Sequence, residues 1–482
     1  MLDVRPILFI VGILLTTLSL AMVVPAVADA AVGHPDWQVF TAAAGLTLFT
    51  GVMLILTTRT SVRRMNLRQA FVLTAACWLV IPTFGALPFR FADLELSYTD
   101  AFFEAMSGIT TTGSTVIAGL DFAPPGILLW RALLQWLGGV GIIVMAIMVM
   151  PMLRVGGMQL FRMESSEKTE KALPRTAQFA AWTGVIYLAL TLLCTLLYHM
   201  AGMGGFDALA HAMTTLATGG FSTRDASVGH FDSAAVDAVA VAFMLAGSLP
   251  FVLYVRVVRG APRSLLRDQQ VRWFATIVAT AVATMTAYLA TQHDMAAPAA
   301  LRLAAFNVIS VMTGTGYATA DFALWGGFAV IGLFVLMFVG GCAGSTTCGL
   351  KIFRLQVLYQ AARVQLRRLL TPHGVFVPYY NGRPLGDDVL TSVMAFFFLF
   401  ILCWAAIAVG LGLAGLDFIT AASGAATAIA NVGPGLGPVI GPHGTFAPLP
   451  DAAKWLMAAG MLLGRLELFT ILVLLTPGFW RD

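Results

Sequence analysis

Apolar runs long enough to cross a lipid bilayer recur along the whole chain. A transmembrane helix needs about 20 consecutive, mostly apolar residues. We predict spans near 7–28, 37–58, 69–91, 124–152, 178–200, 233–258, 271–291, 322–369 (interrupted), 388–413 and 452–477. These runs leave no stretch for a soluble catalytic domain. The pattern therefore predicts an all-α polytopic membrane protein.

Four short glycine-rich stretches punctuate the apolar pattern about a hundred residues apart. They read TTTGST at 110–115, ATGGFST at 217–223, TGTGYAT at 313–319 and ANVGPGLG at 430–437. Aligning them places Gly113, Gly220, Gly316 and Gly433 at one equivalent position. Each is preceded by a segment of about three helical turns, roughly 15–18 Å long, which cannot cross a bilayer of about 30 Å. A half-helix that enters the membrane and turns back fits this length.

The repeating unit is a helix, a re-entrant half-helix, a glycine-rich loop and a second helix, written four times around a central ion pore. Two additional transmembrane helices precede the first copy. We predict the following division: 1–60, the two N-terminal helices; 61–165, repeat 1; 166–265, repeat 2; 266–372, repeat 3 with an intramembrane loop at 340–349; 373–482, repeat 4.

The four loops have the composition of a cation filter. Non-helical backbone at membrane depth is tolerated only where protein buries it or where it lines a watery cavity. Glycine permits the positive φ angles that turn carbonyls in one direction, and such oxygens can replace the hydration shell of an ion. Ordinary packing of small residues is the alternative for one copy, but four aligned copies favour a pore. The predicted K⁺-binding residues are Thr111, Thr112, Gly113, Thr218, Gly219, Gly220, Gly314, Thr315, Gly316, Asn431, Val432 and Gly433.

Side chains around the loops are expected to support them. Tyr317 can pack behind its loop as an aromatic strut. Glu104, His211 and Asn307 each lie nine residues before the aligned glycine. We expect these three to be hydrogen-bonded supports of the half-helices, not proton carriers or metal ligands.

GGCAGSTTCG at 340–349 interrupts an otherwise continuous helix from 322 to 369. A phosphate-binding loop is excluded, because Leu350 stands where its lysine belongs and no soluble strand precedes it. A kink stabilised by neighbouring helices is one alternative. The other, which we favour, is a gate that crosses the pore below the filter. Its predicted residues are Gly340, Gly341, Gly344, Ser345, Thr346, Thr347 and Gly349.

Charge predicts the orientation of the chain. Only 11% of the residues are charged, with a formal net charge of +4. Basic residues crowd every second connection, which the positive-inside rule places in the cytoplasm together with both termini. They are Arg59, Arg63, Arg64 and Arg68; Arg154, Arg162, Lys168, Lys171 and Arg175; Arg256, Arg259, Arg263, Arg267 and Arg272; Arg363, Arg367, Arg368 and Arg383. Because these charges flank predicted spans, we expect lipid, not nucleic acid, beside them.

The five cysteines form no CxxC pair and are expected to be buried thiols. The first helix is expected to remain uncleaved.

Several longer motifs are shared with a known family. They are LLQWLGGVGIIV (133–144), GGMQLFRMESSEK (156–168), GGCAGSTTCGLKIFR (340–354), NVGPGLGP (431–438) and LGRLELFTILVLLTPGFWR (463–481). With the four loops, they make the chain resemble the TrkH branch of the TrkH/KtrB/HKT superfamily of cation transporters. The resemblance implies potassium uptake through a homodimer in the bacterial inner membrane. It also implies gating by a cytosolic ring of TrkA-like nucleotide-binding (NAD/ATP) subunits.

The resemblance also implies that Arg465 lies in the pore beneath the filter as an electrostatic barrier. Without it, a structural ion pair or snorkelling towards the interface would explain this charge, since Glu467 is two positions away. The loops depart from the potassium-channel sequence TVGYG, with Pro434 in the fourth loop and Gly219-Gly220-Phe221 in the second. We therefore expect K⁺ and Rb⁺ to pass and Na⁺ to be discriminated less sharply.

Two other classes of protein share some of these features. A secondary transporter would show two halves and two discontinuous helices, whereas these loops come in fours with one order and one orientation. A K⁺ symporter coupled to H⁺ or Na⁺ remains the alternative, because coupling is not visible in the residues. An intramembrane enzyme is disfavoured, since the chain contains no HExxH, no GxSxG and no paired aspartates in facing spans.

Overall fold

The computed structural model describes residues 2–59, 65–148, 157 and 172–481. The predicted cytoplasmic charges Arg63, Arg64, Arg154, Arg162, Lys168 and Lys171 lie outside the described residues, as does the motif at 156–168 apart from Gly157. The repeat boundaries at 60/61 and 165/166 fall there too, and the proposed division into repeats stays a prediction.

The described chain is almost entirely helical. Its helices are α1 Arg5–Val32, α2 Trp37–Thr57, α3 Leu67–Phe91, α4 Tyr98–Ile109, α5 Pro125–Met148, α6 Ala172–Met200, α7 Gly205–Leu216, α8 Ala234–Gly247, α9 Phe251–Val258, α10 Arg263–Arg267, α11 Gln269–Gln292, α12 Ala297–Met312, α13 Gly327–Met337, α14 Ile352–Leu370, α15 Asp387–Leu413, α16 Phe418–Ala430, α17 Gly437–Ile440, α18 Asp451–Arg465, α19 Phe469–Leu472 and α20 Pro477–Arg481. Short 3₁₀ turns cover Leu120–Phe122, Ser227–Phe231, Phe322–Leu324 and Val473–Leu475. The two-residue strands β1 Tyr379–Tyr380 and β2 Arg383–Pro384 pair antiparallel.

Seven of the described helices are long and apolar enough to cross a membrane: α1, α2, α3, α5, α6, α11 and α15. Four short helices stand in front of the glycine-rich loops, namely α4, α7, α12 and α16. They contain 12, 12, 16 and 13 residues, or about 18–24 Å, which is too short to span the bilayer. The prediction of half-helices before each loop is confirmed. We call these four the pore helices.

Helices α1 and α2 form a closely packed pair through small residues. A Cβ atom on Gly12 would lie 2.8 Å from the carbonyl oxygen of Gly51. Ser19 Oγ donates to the carbonyl oxygen of Ala44 at 2.8 Å. Small side chains bring the two backbones together, as is common between membrane helices. Helix α1 also contacts α3 and α5, so the pair is attached to the first repeat.

The second long helix of each repeat, here called the inner helix, is broken in three of the four repeats. It is continuous in repeat 1 (α5). It bends by 95° between α8 and α9 and by 106° between α18 and α19. In repeat 3 a non-helical segment separates α13 from α14, as predicted.

The prediction that 233–258 and 452–477 are uninterrupted spans is wrong. In the first, Pro250 lacks the N–H that would continue the helix, and α8 ends at Gly247. In the second, Glu467 and Leu468 both adopt positive φ, 57° and 50°, which is unfavourable for residues with a Cβ. Such a conformation persists only where surrounding contacts hold it.

Candidate functional site

The four glycine-rich loops share one backbone conformation. Each aligned glycine has a left-handed φ: 90° at Gly113, 76° at Gly220, 79° at Gly316 and 112° at Gly433. Two residues earlier a second left-handed residue occurs in every loop, namely Thr111, Thr218, Gly314 and Asn431, with φ of 53°, 51°, 68° and 52°. Only one of these four is a glycine, so the alignment of glycines alone does not reveal this second position.

The earlier left-handed residue ends each pore helix in the same way. The next N–H in each loop returns to a carbonyl five residues back: Thr112 to Ser107, Gly219 to Thr214, Thr315 to Ser310 and Val432 to Thr427, at 2.9–3.1 Å. Such a bond around a left-handed residue is typical of a helix C-terminus. All four pore helices therefore direct their C-terminal ends, which carry partial negative charge, at the loops.

The loops contact one another in a closed ring. A Cβ atom built on each aligned glycine would meet the carbonyl oxygen that precedes the aligned glycine of the next loop. The pairs are Gly113 with Gly219, Gly220 with Thr315, Gly316 with Val432 and Gly433 with Thr112. The order runs from loop 1 through loops 2, 3 and 4 back to loop 1. We call residues 110–116, 217–223, 313–319 and 430–437 the loop ring.

Many carbonyl oxygens of the loop ring are free of protein hydrogen bonds. Within the described part of the chain, no hydrogen bond reaches the carbonyls of Thr111, Thr112, Gly113, Thr218, Gly220, Gly314, Thr315, Gly316, Asn431 or Val432. Among the predicted K⁺-binding residues two carbonyls are engaged: Gln135 Nε2 donates to Gly219 O at 2.5 Å, and Ser114 Oγ donates to Gly433 O at 2.6 Å. Backbone carbonyls with no protein donor are suitable ligands for a cation.

Each loop is braced from behind by a polar side chain of its own pore helix. Glu104 accepts from the N–H of Val116 at 2.9 Å, and His211 Nε2 lies 2.9 Å from Ser222 Oγ. Asn307 Nδ2 donates to Thr319 Oγ1 at 2.9 Å. The expectation that these three are satisfied structural groups is confirmed. In the fourth copy, where the equivalent position is Gly424, Ser423 Oγ accepts from the N–H of Leu436 at 2.9 Å.

Tyr317 is the predicted strut. It is fully buried, and its hydroxyl bonds to Thr214 Oγ1 and donates to the carbonyl of His211 at 3.2 Å. It therefore fastens the third loop to α7, the pore helix of the preceding repeat. Phe221 has the equivalent position in the second loop, and the guanidinium of Arg131 lies 4.1 Å from its ring centroid.

Two supporting residues on α5 were missed by the sequence reasoning. Gln135 lies where a side chain at Gly219 would point, and its Oε1 accepts from the N–H of Phe221 at 3.0 Å. Arg131 is 1% exposed, pairs with Glu104 at 2.8 Å and donates to Ser222 O at 2.6 Å. The sequence did indicate that Arg131 is important, because a charge inside an apolar span usually has a functional or structural partner.

The segment 340–349 lies directly beneath the loop ring and is fastened to the break between α8 and α9. Cys342 N–H donates to Ser248 O at 3.1 Å, Thr346 N–H to Gly247 O at 3.1 Å and Phe251 N–H to Gly344 O at 2.9 Å. Thr346 is fully buried. Its hydroxyl donates to Leu216 O at 3.2 Å and accepts from Thr218 Oγ1 at 3.1 Å. Thr346 therefore contacts the second glycine-rich loop.

The other predicted gate residues shape this segment. Gly344 and Gly349 have φ of 76° and 70°, and a Cβ on Gly340 would collide with the carbonyl of Cys348. Thr347 Oγ1 lies 2.7 Å from Ser345 Oγ and accepts from the N–H of Gly341 at 3.1 Å. The hydroxyls are thus used inside the segment, away from lipid.

Arg465 joins three repeats at this level. Its Nη1 donates to Thr346 O at 3.0 Å and to Cys348 Sγ at 2.6 Å, and its Nη2 donates to Gly138 O of α5 at 3.2 Å. It is 1% exposed, so snorkelling to the interface does not describe it. Glu467 pairs instead with Arg354, and both are buried. Among the described residues Arg465 and Glu467 therefore do not form an ion pair.

A small cavity lies beside the segment, between it and Arg465. The cavity is bounded by residues 343–345 and 347–349 together with Lys351, Arg354, Arg465 and Glu467, and it has a volume of about 20 Å³, enough for roughly one or two water molecules. Lys351 Nζ bonds to the carbonyl of Thr347. Lys351, Arg354, Arg465 and Glu467 thus form a buried charged cluster beside the segment 340–349.

The chain was compared with known proteins. Residues 36–479 match the family model TrkH, described as cation transport protein. The chain belongs to the TrkH family. A chain of this family with at least seven apolar helices is a multi-pass membrane protein, and the family resemblance noted in the sequence is confirmed.

Two similar proteins and one solved structure cover this TrkH-family chain almost completely. The Trk system potassium uptake protein TrkI of Halomonas elongata is 47% identical over 99% of this chain and 97% of that protein. The Trk system potassium uptake protein TrkH of Escherichia coli (strain K12) is 37% identical over 99% of each. The crystal structure of the potassium transporter TrkH from Vibrio parahaemolyticus matches with a TM-score of 0.93 at 37% identity over 100% of both chains.

A side chain at an aligned glycine should break the loop ring. Gly220→Ala places a Cβ against the carbonyl of Thr315 and adds about 1–2 kcal/mol for the left-handed φ. We expect cation flux in liposomes to be lost and the unfolding midpoint to fall. Gly205→Ala is the matched control, because no atom lies within 4 Å of its added Cβ. Normal flux through Gly220→Ala would contradict the ring contact.

Removing Arg131 should destabilise the protein strongly. Arg131→Met leaves the buried Glu104 carboxylate without its partner, which typically costs about 3–5 kcal/mol. We expect a large drop in the thermal unfolding midpoint, partly restored in the double variant Glu104→Gln/Arg131→Met. Arg90→Met, at an exposed arginine, is the control. Equal midpoints for Arg131→Met and Arg90→Met would show that the pair does not hold the loops.

Proposed function

We propose that the chain mediates channel-like potassium uptake across the bacterial inner membrane, with the loop ring as its selectivity filter. The observation that carries the proposal is the closed contact of four loops in which most of the predicted K⁺-binding carbonyls have no protein donor among the described residues. These oxygens replace water around a passing K⁺ or Rb⁺ ion. The partial negative charge at the pore-helix ends stabilises the ion at the same place. The potassium uptake proteins named above support the choice of ion.

The selectivity of this filter for K⁺ over Na⁺ is modest. The four loops do not offer equal ligands, because the Gly219 and Gly433 carbonyls already accept hydrogen bonds from Gln135 and Ser114. Pro434 replaces the aromatic residue that Tyr317 supplies in loop 3. Fewer equivalent oxygens discriminate less sharply between ions that differ in size and hydration.

The segment 340–349 acts as the gate and Arg465 as the barrier beneath the filter. Support comes from the contact of Thr346 with the second loop and from the small size of the cavity between the segment and Arg465. A fixed guanidinium in a narrow, buried passage repels cations strongly, because the local dielectric constant is low. Opening requires the segment to break its hydrogen bonds with Thr218, Gly247 and Arg465.

Control of the gate comes from the cytoplasm, through a ring of TrkA-like nucleotide-binding (NAD/ATP) subunits on a homodimer whose termini are cytoplasmic. Helix α14 begins two residues after Leu350 and ends in exposed arginines, among them Arg363, Arg367 and Arg368. A rigid helix that leads from the gate to a basic surface suits transmission of a cytosolic movement. The relatives are named as parts of a Trk system, which supports a multi-component assembly.

Purified protein in liposomes should conduct K⁺ and Rb⁺ down their gradients, with smaller Na⁺ flux and no added H⁺ or Na⁺ gradient. We would measure the three fluxes separately under imposed gradients. Empty liposomes and the Gly220→Ala variant are the controls. Flux that requires an H⁺ or Na⁺ gradient would favour the coupled symporter, and a preference for Na⁺ would contradict the proposed filter.

Releasing the gate should raise K⁺ flux. The ends of the segment are bonded to each other, Gly340 N–H to Leu350 O at 3.0 Å and Leu350 N–H to Phe338 O at 2.9 Å. Excision of 342–348 therefore leaves neighbouring ends to be joined. We expect a severalfold rise in flux for this deletion, and a rise for Arg465→Gln, which removes the barrier charge.

Arg256→Gln is the control for these variants, since Arg256 is an exposed basic residue near the end of α9. Unchanged flux in a folded deletion protein would show that the segment is a structural kink. Unchanged flux through Arg465→Gln, with normal expression, would assign Arg465 a purely structural role.

A further inference from the structure

Asp29, His34 and Asp36 come together where α1 connects to α2. One donor atom from each lies within 4.8 Å of the others, and His34 Nδ1 is 3.8 Å from Asp36 Oδ2. The cluster lies at the C-terminal end of α1, and none of its three residues belongs to the loop ring. The proposed ion pathway makes no use of it.

Both carboxylates are buried and incompletely paired. Asp29 is fully buried and Asp36 is 4% exposed. The Oδ2 atom of each has no hydrogen-bond partner among the described residues. Leaving a buried carboxylate oxygen unpaired is costly, and two such groups close together repel each other. His34 is the cationic candidate beside them, because no arginine or lysine among the described residues forms an ion pair with either aspartate.

The fold holds each carboxylate by its other oxygen. Asp29 Oδ1 accepts from the N–H of Gly126, at the start of α5, at 2.6 Å. Asp36 Oδ1 accepts from the N–H of Asp93, just after α3, at 3.4 Å. Carboxylates that bind metal are commonly oriented by such hydrogen bonds from the surroundings. Oδ2 of each aspartate is thus the atom left for a ligand.

A tight turn brings the imidazole to the same place. Gly33 has φ of 74°, and the N–H of His34 returns to the carbonyl of Asp29 at 2.9 Å. His34 Nδ1 accepts a long hydrogen bond of 3.3 Å from the N–H of Asp36, so the ring faces the carboxylates. Its side chain is 31% exposed, which leaves an open approach from solvent.

We propose that Asp29, His34 and Asp36 bind a divalent transition-metal ion, best matched by Zn²⁺, which fastens the two N-terminal helices to the first repeat. One imidazole and two carboxylates are a donor set that Zn²⁺ accepts, with water in a fourth position. Ca²⁺ and Mg²⁺ prefer six or more oxygen ligands, which this cluster does not supply. Donors on one tetrahedral Zn²⁺ are roughly 3–4 Å apart, so a small rotation of the partly exposed His34 completes the site.

The test uses the full-length protein in detergent, freed of any polyhistidine tag and treated with a chelator. Zn²⁺ and Mg²⁺ are titrated separately, and both bound metal per chain and the thermal unfolding midpoint are measured. We expect one tightly bound Zn²⁺ per chain, a higher midpoint with Zn²⁺, and no rise with Mg²⁺. In His34→Gln, which keeps both aspartates and their backbone bonds, Zn²⁺ affinity should fall by about tenfold or more.

His443→Gln is the matched control, because His443 is an exposed histidine outside the cluster, and its Zn²⁺ response should equal that of the unmodified chain. Asp36→Asn provides a second variant and should also lose the Zn²⁺ response. No rise of the midpoint in the unmodified chain, or an undiminished response in both His34→Gln and Asp36→Asn, would overturn the proposal.

Discussion

The close approach of a glycine Cα to a neighbouring carbonyl, repeated four times, is the contact on which the rest of the structure depends. Any Cβ at Gly113, Gly220 or Gly316 would collide with the next loop, so the loops meet as closely as backbone allows. Carbonyls held at membrane depth without protein donors are unfavourable unless a cavity or an ion receives them. The surrounding braces, from Glu104 and Arg131 to Tyr317, oppose the tendency of such loops to move apart.

The breaks in three inner helices meet at one level under this ring. The segment 340–349 bonds to the α8–α9 break, and Arg465 extends from the end of α18 to both that segment and α5. Thr346, within the segment, contacts both the second loop of the ring and Gly247 at the α8–α9 break. Withdrawal of the segment would therefore remove a support of the second loop as it clears the path, which gives the proposed gate and the proposed filter a direct physical link.

The features marked by residue composition were predictable from the sequence, and those that tertiary contacts impose were not. Apolar length and the four aligned glycines predicted the spans, the pore helices and the loops, and the interruption at 340–349 was visible from its small, hydroxylated residues. The left-handed Thr111 and Thr218 and the bend at Glu467 and Leu468 were not, because these residue types do not favour positive φ and only tertiary contacts impose it. The side chain of Gln135 occupies the space where a side chain at Gly219 would lie. No local sequence pattern encodes this pairing of distant positions. The same holds for the partner of Glu467, which proved to be Arg354.

The central claim is that one cation path runs through the middle of the four loops. The most direct measurement is a crystal structure of the protein grown with Tl⁺ or Rb⁺ in place of K⁺, in which anomalous scattering locates the ion. The account predicts density on the common axis, within coordination distance of the donor-free carbonyls of Thr112, Thr315 and Val432. Ions found only at other positions, or none at the ring in crystals that show Rb⁺ or Tl⁺ elsewhere, would contradict it.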